Sequence, residues 1–416
     1  MRRIEAPWLK EASLQKLLAV LSEGGEEARV AGGAVRNALL GQPVSDVDVA
    51  TTTVPDETIR RAKGAGFKVV MTGYEHGTVT VMASGHAFEV TTLRADVETD
   101  GRHAKVVFGR DWEADAARRD FTINAIYAKA DGEVIDLVGG IKDIESGTLR
   151  FIGEAEERIE EDYLRILRFF RFFAWYGRGR PDAQGLKACV RLRDGMRTLS
   201  AERVWTELKK LLMASDPSRA LLWMRQTGVL TIVLPESEKW GIDSIHGLIE
   251  AEKGLGWQPE ALLRLAAMVP PDAARMAVLS KRLRLSNNEA AQLDGWAQAP
   301  TPQPDMAEDA FRRLLYREAV KGLEWRLKLA LVSARTRAVE DTSALIQAAG
   351  FQRLLKIAGS WEKPKFPVSG KDLLALGYEP GEAVGKTLNR LEEMWVEANF
   401  ELEREALLAE VAEGRS

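Results

Sequence analysis

The sequence predicts an α+β protein, a small mixed head followed by an all-helical remainder. Three observations carry this. Short alternating apolar runs and short helical patterns interleave up to about residue 150. Strand signals vanish from about residue 151 onward. Beyond residue 215, amphipathic helical patterns follow one another, separated by Gly, Pro or Asn. At 416 residues the chain should form two or more structural units, and 45% hydrophobic content supplies their cores.

The head begins with Arg29-Val30-Ala31, which reads as a strand, and Gly32-Gly33, which reads as a tight turn. Ala34-Val35-Arg36-Asn37-Ala38-Leu39-Leu40-Gly41 then reads as a short helix. Such a turn presents free N–H groups and the positive end of the helix dipole, an anion site to which Arg36 adds charge. Next comes Ser45-Asp46-Val47-Asp48-Val49-Ala50-Thr51, where Val47 and Val49 mark a strand. Residues i and i+2 share a strand face, so Asp46 and Asp48 leave the sheet together and could share a cation. Mg²⁺ would relieve their repulsion. An Asp-x-Asp pair alone is more often an exposed loop or edge, and a lone Gly-Gly says less. The order strand, Gly-Gly, helix, strand, Asp-x-Asp favours a metal pair beside a phosphate cradle, the equipment for nucleotidyl transfer.

Residues 78–83 alternate, Ser84-Gly85 is a turn, and 86–92 alternates again, which predicts a hairpin. If Phe88 and Val90 face the core, Glu89 faces the other side, where the Asp pair could lie. An ordinary solvated strand glutamate fits the pattern equally well. His76-Gly77 reads as a turn before a strand. Residues 94–112 are polar and charged and read as a surface loop.

The chain from 154 to 177 reads as one helix, ended by Pro181-Asp182, and Ser200 with Arg203 opens another. Between Arg165 and Lys210 stand twelve Arg or Lys against four Asp or Glu, although the whole chain carries a net charge of −4. Phe169, Phe170, Phe172, Phe173, Trp175 and Tyr176 accompany them. Basic residues with aromatics suit a nucleic-acid groove, but the aromatic spacing fits a buried helix face better. Arg165, Arg168 and Arg171 recur every third residue along one stripe that could follow a nucleotide. Further helical patterns cover 217–228, 258–269, 271–284 and 287–298. Residues 299–305 and 363–367 read as linkers, the second ending at a capping box, Ser369 with Asp372.

Several segments together resemble the class II tRNA nucleotidyltransferases, the CCA-adding enzymes, and the related bacterial poly(A) polymerases. They are Gly32-Gly33-Ala34-Val35-Arg36, Asp46-Val47-Asp48-Val49-Ala50-Thr51, Phe88-Glu89-Val90-Thr91-Thr92-Leu93-Arg94 and Arg118-Arg119-Asp120-Phe121-Thr122-Ile123-Asn124-Ala125. Glu161-Asp162-Tyr163-Leu164-Arg165 is similar to the family's nucleotide-selecting motif, and Ser200-Ala201-Glu202-Arg203-Val204 to its last motif. The resemblance is dense from about 28 to 215 and returns faintly at 367–373. Asn37 stands where the family usually has Asp.

The resemblance implies a polymerase-β-like nucleotidyltransferase head (1–150), a helical neck (151–215) and a helical body and tail (216–416) that help hold the tRNA elbow. It implies template-independent addition of C, C and A to the tRNA 3′ end from CTP and ATP. Asp46 and Asp48 would hold Mg²⁺ in a two-metal, in-line displacement, and Glu89 would complete the carboxylate set. Gly32, Gly33, Arg36 and Arg119 would serve the phosphates, Asp120 and Asn124 the sugar or the sheet. Arg168 and Arg171 would continue the nucleotide site. Cytosine and adenine each offer an exocyclic amine beside an unprotonated ring nitrogen. Asp162 can accept from the first and Arg165 can donate to the second, with Glu161 orienting the arginine. The 94–110 loop matches a flexible loop required for the final A.

A poly(A) polymerase is the nearest alternative, but its Arg-rich, Phe-containing signature is absent after Leu39-Leu40-Gly41, where Gln42-Pro43-Val44 follows. A non-catalytic RNA-binding protein on the same fold is the second, opposed by the carboxylates at 46, 48 and 89. None of the four histidines, 76, 86, 103 and 246, precedes an Asp, so no appended phosphohydrolase domain is expected. The single cysteine, Cys189, rules out an internal disulfide framework and cysteine-cluster zinc. With no signal-peptide pattern and no apolar run of membrane length, a cytoplasmic location is expected.

Overall fold

The structure is a computed structural model that describes residues 2–83, 85–100, 103–237, 242–338 and 341–413. The chain forms two compact units, Met1–Pro235 and Glu236–Ser416.

The first unit is built on a seven-stranded mixed sheet. Its strands are β1 (Ala28–Ala31), β2 (Val47–Thr51), β3 (Lys68–Gly73), β4 (Thr78–Ala83), β5 (His86–Thr92), β8 (Ile126–Ala128) and β9 (Val134–Asp136), in the order β3-β4-β5-β2-β1-β8-β9. β2 and β5 run parallel; every other pair is antiparallel. The expected hairpin is β4–β5, and Phe88 and Val90 are buried while Glu89 is exposed. Alternation therefore set the facing of this strand. Gly32 sits at φ +66°, a conformation that favours glycine, and the helix Gly33–Leu39 follows at once. A side chain at position 32 would also crowd the Asn124 carbonyl, 3.3 Å from its Cβ.

Two expectations change. The 94–110 segment is not an irregular loop: β6 (Arg94–Asp100) and β7 (His103–Phe108) pair antiparallel, with a register shift between Asp96 and Thr99. Residues 101 and 102, in the polar centre of the expected loop, lie outside the described residues. Val97, Thr99, Val106 and Val107 give the ribbon its β-branched content. Nor is 154–177 one helix. It divides into Ala155–Glu161 and Leu164–Tyr176, with Asp162 extended at φ −157°, ψ 105°. The Asp162 side chain takes the Leu164 N–H at 3.1 Å, an acceptor competing with the helical ladder. The Tyr163 ring lies against Gly195, where a Cβ would come within 2.0 Å of it.

Phe169, Phe170, Phe172 and Phe173 are buried, as a core helix face requires. Phe151 stacks on Phe169 at 5.5 Å, and Phe121 meets Phe151 at 4.8 Å and Phe172 at 5.4 Å. These rings lock the segment carrying Asp120 and Asn124 against the Leu164–Tyr176 helix.

Every regular element among the described residues of the second unit is a helix. One core gathers Phe311, Leu323, Leu327, Leu331, Phe351 and Leu354, another Tyr316, Leu373, Leu391 and Trp395. A buried ion pair joins Arg264 to Glu252 at 2.5 Å. The capping box of Ser369 and Asp372 forms. Among the described residues, no helix is long and apolar enough to cross a membrane.

Candidate active site

The acidic residues sit mid-sheet, along the rim where β2 begins beside β5. Asp48 on β2 is the direct register partner of Glu89 on β5, so both carboxylates leave the same face of adjacent strands. Asp46 stands one residue before β2, exposed, its carboxylate accepting from the Ser45 hydroxyl at 2.9 Å. Asp48 is exposed to the cleft, yet desolvation by the surrounding protein and the facing Glu89 raise its pKa above the ordinary aspartate value, with Asp46 adding to the push and Arg119 opposing it. That repulsion is what a divalent cation would relieve. Among the described residues, no three acidic, histidine or cysteine side chains close into a ligand set by themselves. Mg²⁺ fits such a rim, because it takes one or two carboxylates and completes its shell with water and substrate phosphate oxygens.

Beside Asp48 opens a cleft of about 510 Å³. It is lined by Gly32, Gly33, Arg36, Asp48, Arg119, Asp120, Asn124, Asp162, Arg165, Arg168 and Arg171, together with Leu164, Phe172 and Arg203. Its six arginines against three aspartates give an electropositive chamber. Asp46, Glu89 and Glu161 do not line it.

The arginines are held in place. Arg36 is buried, and its guanidinium donates to Asn124, to Asn37 at 3.1 and 3.2 Å and to the Tyr176 hydroxyl at 2.8 Å. It also lies 4.1 Å from the Tyr176 ring centroid. Burial lowers its pKa, opposed by the Tyr176 hydroxyl. Arg119 is braced by Asp115 at 3.1 Å and by the Asn124 carbonyl at 3.3 Å. Asp120 accepts from the Phe121 N–H at 2.9 Å, from Asn124 at 3.0 Å and from Arg168 at 2.7 Å. Burial pushes the Asp120 carboxyl up, but Arg168 and these hydrogen bonds outweigh it and its pKa is lowered.

Just before the helix break, Glu161 takes two hydrogen bonds from Arg158, at 2.8 and 3.0 Å, and one from Arg165 across the break. Arg165 also donates to the Arg158 carbonyl at 2.8 Å. Asp162 and Arg165 therefore face the cleft from two sides of a break, not from one helix face.

Four supporting residues escaped the sequence reading. Arg203, on the Ala201–Leu212 helix, holds the second Asp162 oxygen at 2.7 Å. Glu207, one turn on and buried, takes Arg171 at 2.5 Å and lies 3.8 Å from Arg168. Asp115 is buried beneath Arg118, Arg119 and the Tyr127 hydroxyl. Tyr176 passed as core packing. For Arg203 the Ser200–Val204 segment was the available signal; Glu207 and Asp115 gave none.

Comparison with known proteins gives concordant results. Residues 28–150 match the poly A polymerase head domain, and 181–240 match the probable RNA and SrmB-binding site of polymerase A. The mouse mitochondrial CCA tRNA nucleotidyltransferase 1 is 34% identical over 404 residues, spanning 95% of this chain and 89% of that protein. A CCA-adding enzyme of Leuconostoc mesenteroides is 30% identical over 91% of this chain and 90% of its own. The crystal structure of the Bacillus stearothermophilus CCA-adding enzyme in complex with CTP superposes with a TM-score of 0.70 at 28% identity, covering 99% of both chains. On sequence, fold and cleft together, the chain belongs to the CCA-adding enzymes, the class II tRNA nucleotidyltransferases of the poly(A) polymerase superfamily.

Proposed function

We propose that this chain adds C, C and A to the 3′ end of tRNA from CTP and ATP without a nucleic-acid template. The observation that carries the proposal is one cleft bordered by Asp48, by the Gly32–Gly33 turn and by the Asp162–Arg165 pair. The terminal 3′-hydroxyl attacks the α-phosphorus, a new P–O bond forms, the α–β bond breaks and pyrophosphate leaves. Mg²⁺ held by Asp46 and Asp48 would neutralise the triphosphate and lower the pKa of the attacking hydroxyl. Glu89, paired with Asp48, accepts the hydroxyl proton. Gly32 and Gly33 offer the phosphates an approach free of side chains, and Arg119 and Arg36 supply the positive field. Asp120 and Asn124 hold Arg168 and Arg36 in register beside the sugar. Arg168 and Arg171, fixed by Asp120 and Glu207, extend the positive wall along the nucleotide.

Base choice falls to Asp162 and Arg165. Asp162 accepts from the amine of C or A, and Arg165, steadied by Glu161, donates to the ring nitrogen. Uracil and guanine would set acceptor against acceptor and donor against donor. We assign catalysis to 1–150, base selection to 151–215 and tRNA holding to 216–416. The β6–β7 ribbon is given the final A, and the enzyme a cytoplasmic location on the strength of its single cysteine.

The test combines purified protein, Mg²⁺, labelled tRNA lacking CCA, and each NTP alone or CTP with ATP. The expected result is two additions with CTP alone and a third only when ATP joins it. Extension of any RNA by ATP alone would identify a poly(A) polymerase. Binding without extension would identify a non-catalytic RNA-binding protein.

A further inference from the structure

Asn37 sits where three parts of the first unit meet. Its side-chain oxygen accepts from the Arg36 guanidinium at 3.1 and 3.2 Å and from the Tyr176 hydroxyl at 3.3 Å. Its side-chain nitrogen donates to the Pro43 carbonyl at 2.9 Å. Neither guanidinium nor carbonyl can exchange roles, so only this orientation of the amide satisfies every contact. The Asn37 backbone carbonyl takes the Gln42 N–H at 2.8 Å. Asn37 thus grips the 41–45 connection twice, three and four residues before Asp46, which stands outside β2 and has no strand ladder to fix it. Through Tyr176 the same side chain touches the last residue of the helix that bears Arg165, Arg168 and Arg171.

We propose that Asn37 is a positioning residue that ties the C-terminal end of the arginine-bearing helix to the loop presenting Asp46, and so sets the metal-binding edge. A carboxylate could keep the Arg36 and Tyr176 contacts but would oppose the Pro43 carbonyl, acceptor against acceptor. Only an amide serves both sides. The proposal rests on the reading of Asp46 as a metal ligand given above.

The decisive variant is Asn37→Asp, nearly the same shape with one donor lost. Backbone hydrogen exchange at residues 42 and 44–46 in metal-free protein should quicken by about fivefold, the worth of one hydrogen bond. The Mg²⁺ concentration for half-maximal CTP addition should rise by about the same factor, again on one hydrogen bond's worth. Excess Mg²⁺ should restore kcat, and the preference for CTP and ATP should hold. Tyr176→Phe, which leaves the Pro43 bond intact, should move both readouts in the same direction by less. Unchanged exchange in Asn37→Asp overturns the tether, whether or not the protein is active. Quickened exchange with an unchanged Mg²⁺ requirement overturns the link to the metal edge. If wild-type protein shows no Mg²⁺-dependent addition, the functional reading falls, and the exchange data alone decide the tether.

Discussion

The acidic edge, the mid-sheet rim where β2 begins beside β5, and the arginine wall facing the cleft treat charge in opposite ways. Each of the three arginines on the Leu164–Tyr176 helix has a carboxylate partner: Arg165 has Glu161, Arg168 has Asp120, and Arg171 has Glu207. At the edge, Asp48 and Glu89 face each other, and among the described residues neither has an ion pair. A wall built this way is finished before substrate arrives; its side chains are already oriented. An edge built this way is unfinished and gains most from an incoming cation. Removing a residue from the edge should therefore abolish chemistry, while removing one from the wall should blur choice.

The sharpest way to break that comparison is at the edge. Asp48→Ala or Asp46→Ala should lower addition by about a thousandfold or more, the scale of a lost metal ligand. Thermal stability should hold or rise, since like charge is removed. Near-wild-type turnover in Mg²⁺ for either variant would erase the distinction between edge and wall.

At the wall the expected loss is smaller and of another kind. Asp162→Ala and Arg165→Ala should each relax discrimination against UTP and GTP by about 10- to 100-fold, as for a lost base-reading pair. Glu161→Ala should do less, by freeing Arg165. Single-turnover incorporation of all four NTPs reads this. Uniform slowing with the CTP and ATP preference intact would make the wall scaffolding.

The smallest effect sharpens the edge itself. Asp48 has a folded-state pKa raised by desolvation and by Glu89 and Asp46. For a raised carboxylate, the stability contribution is full below the ordinary value of about 4 and is lost as pH rises through the folded value. Metal-free wild type should therefore lose Tm relative to Asp48→Asn as pH rises above about 4, and Mg²⁺ should restore it. Parallel melting curves at all pH values would show that the carboxylates do not strain the edge.

The sequence displayed those features that depend on neighbours a few residues apart. Gly32 marked the turn because a positive φ and a close carbonyl demand glycine there. Alternation around Phe88 and Val90 placed Glu89 on the open face. What it concealed was held by distant partners. The apolar period runs through 162 without a mark, because the break comes from Asp162's own side chain, Arg203 and the fit of Tyr163 on Gly195. Glu207 and Arg171 lie 36 residues apart in the chain. The ribbon of β6 and β7 was hidden by its polar composition.

The pairing of Asp48 with Glu89 also bears on folding. Side chains alternate along β5, so a slip of one residue against β2 would turn Glu89 inward and set Phe88 or Val90 beside Asp48. The acidic edge and the hydrophobic core are thus satisfied by the same alignment and by no adjacent one. A misaligned sheet would bury a charge and also be unable to hold the ion. Such a chain would be both unstable and inert, so errors in strand assembly should yield dead protein, never a polymerase with loosened fidelity.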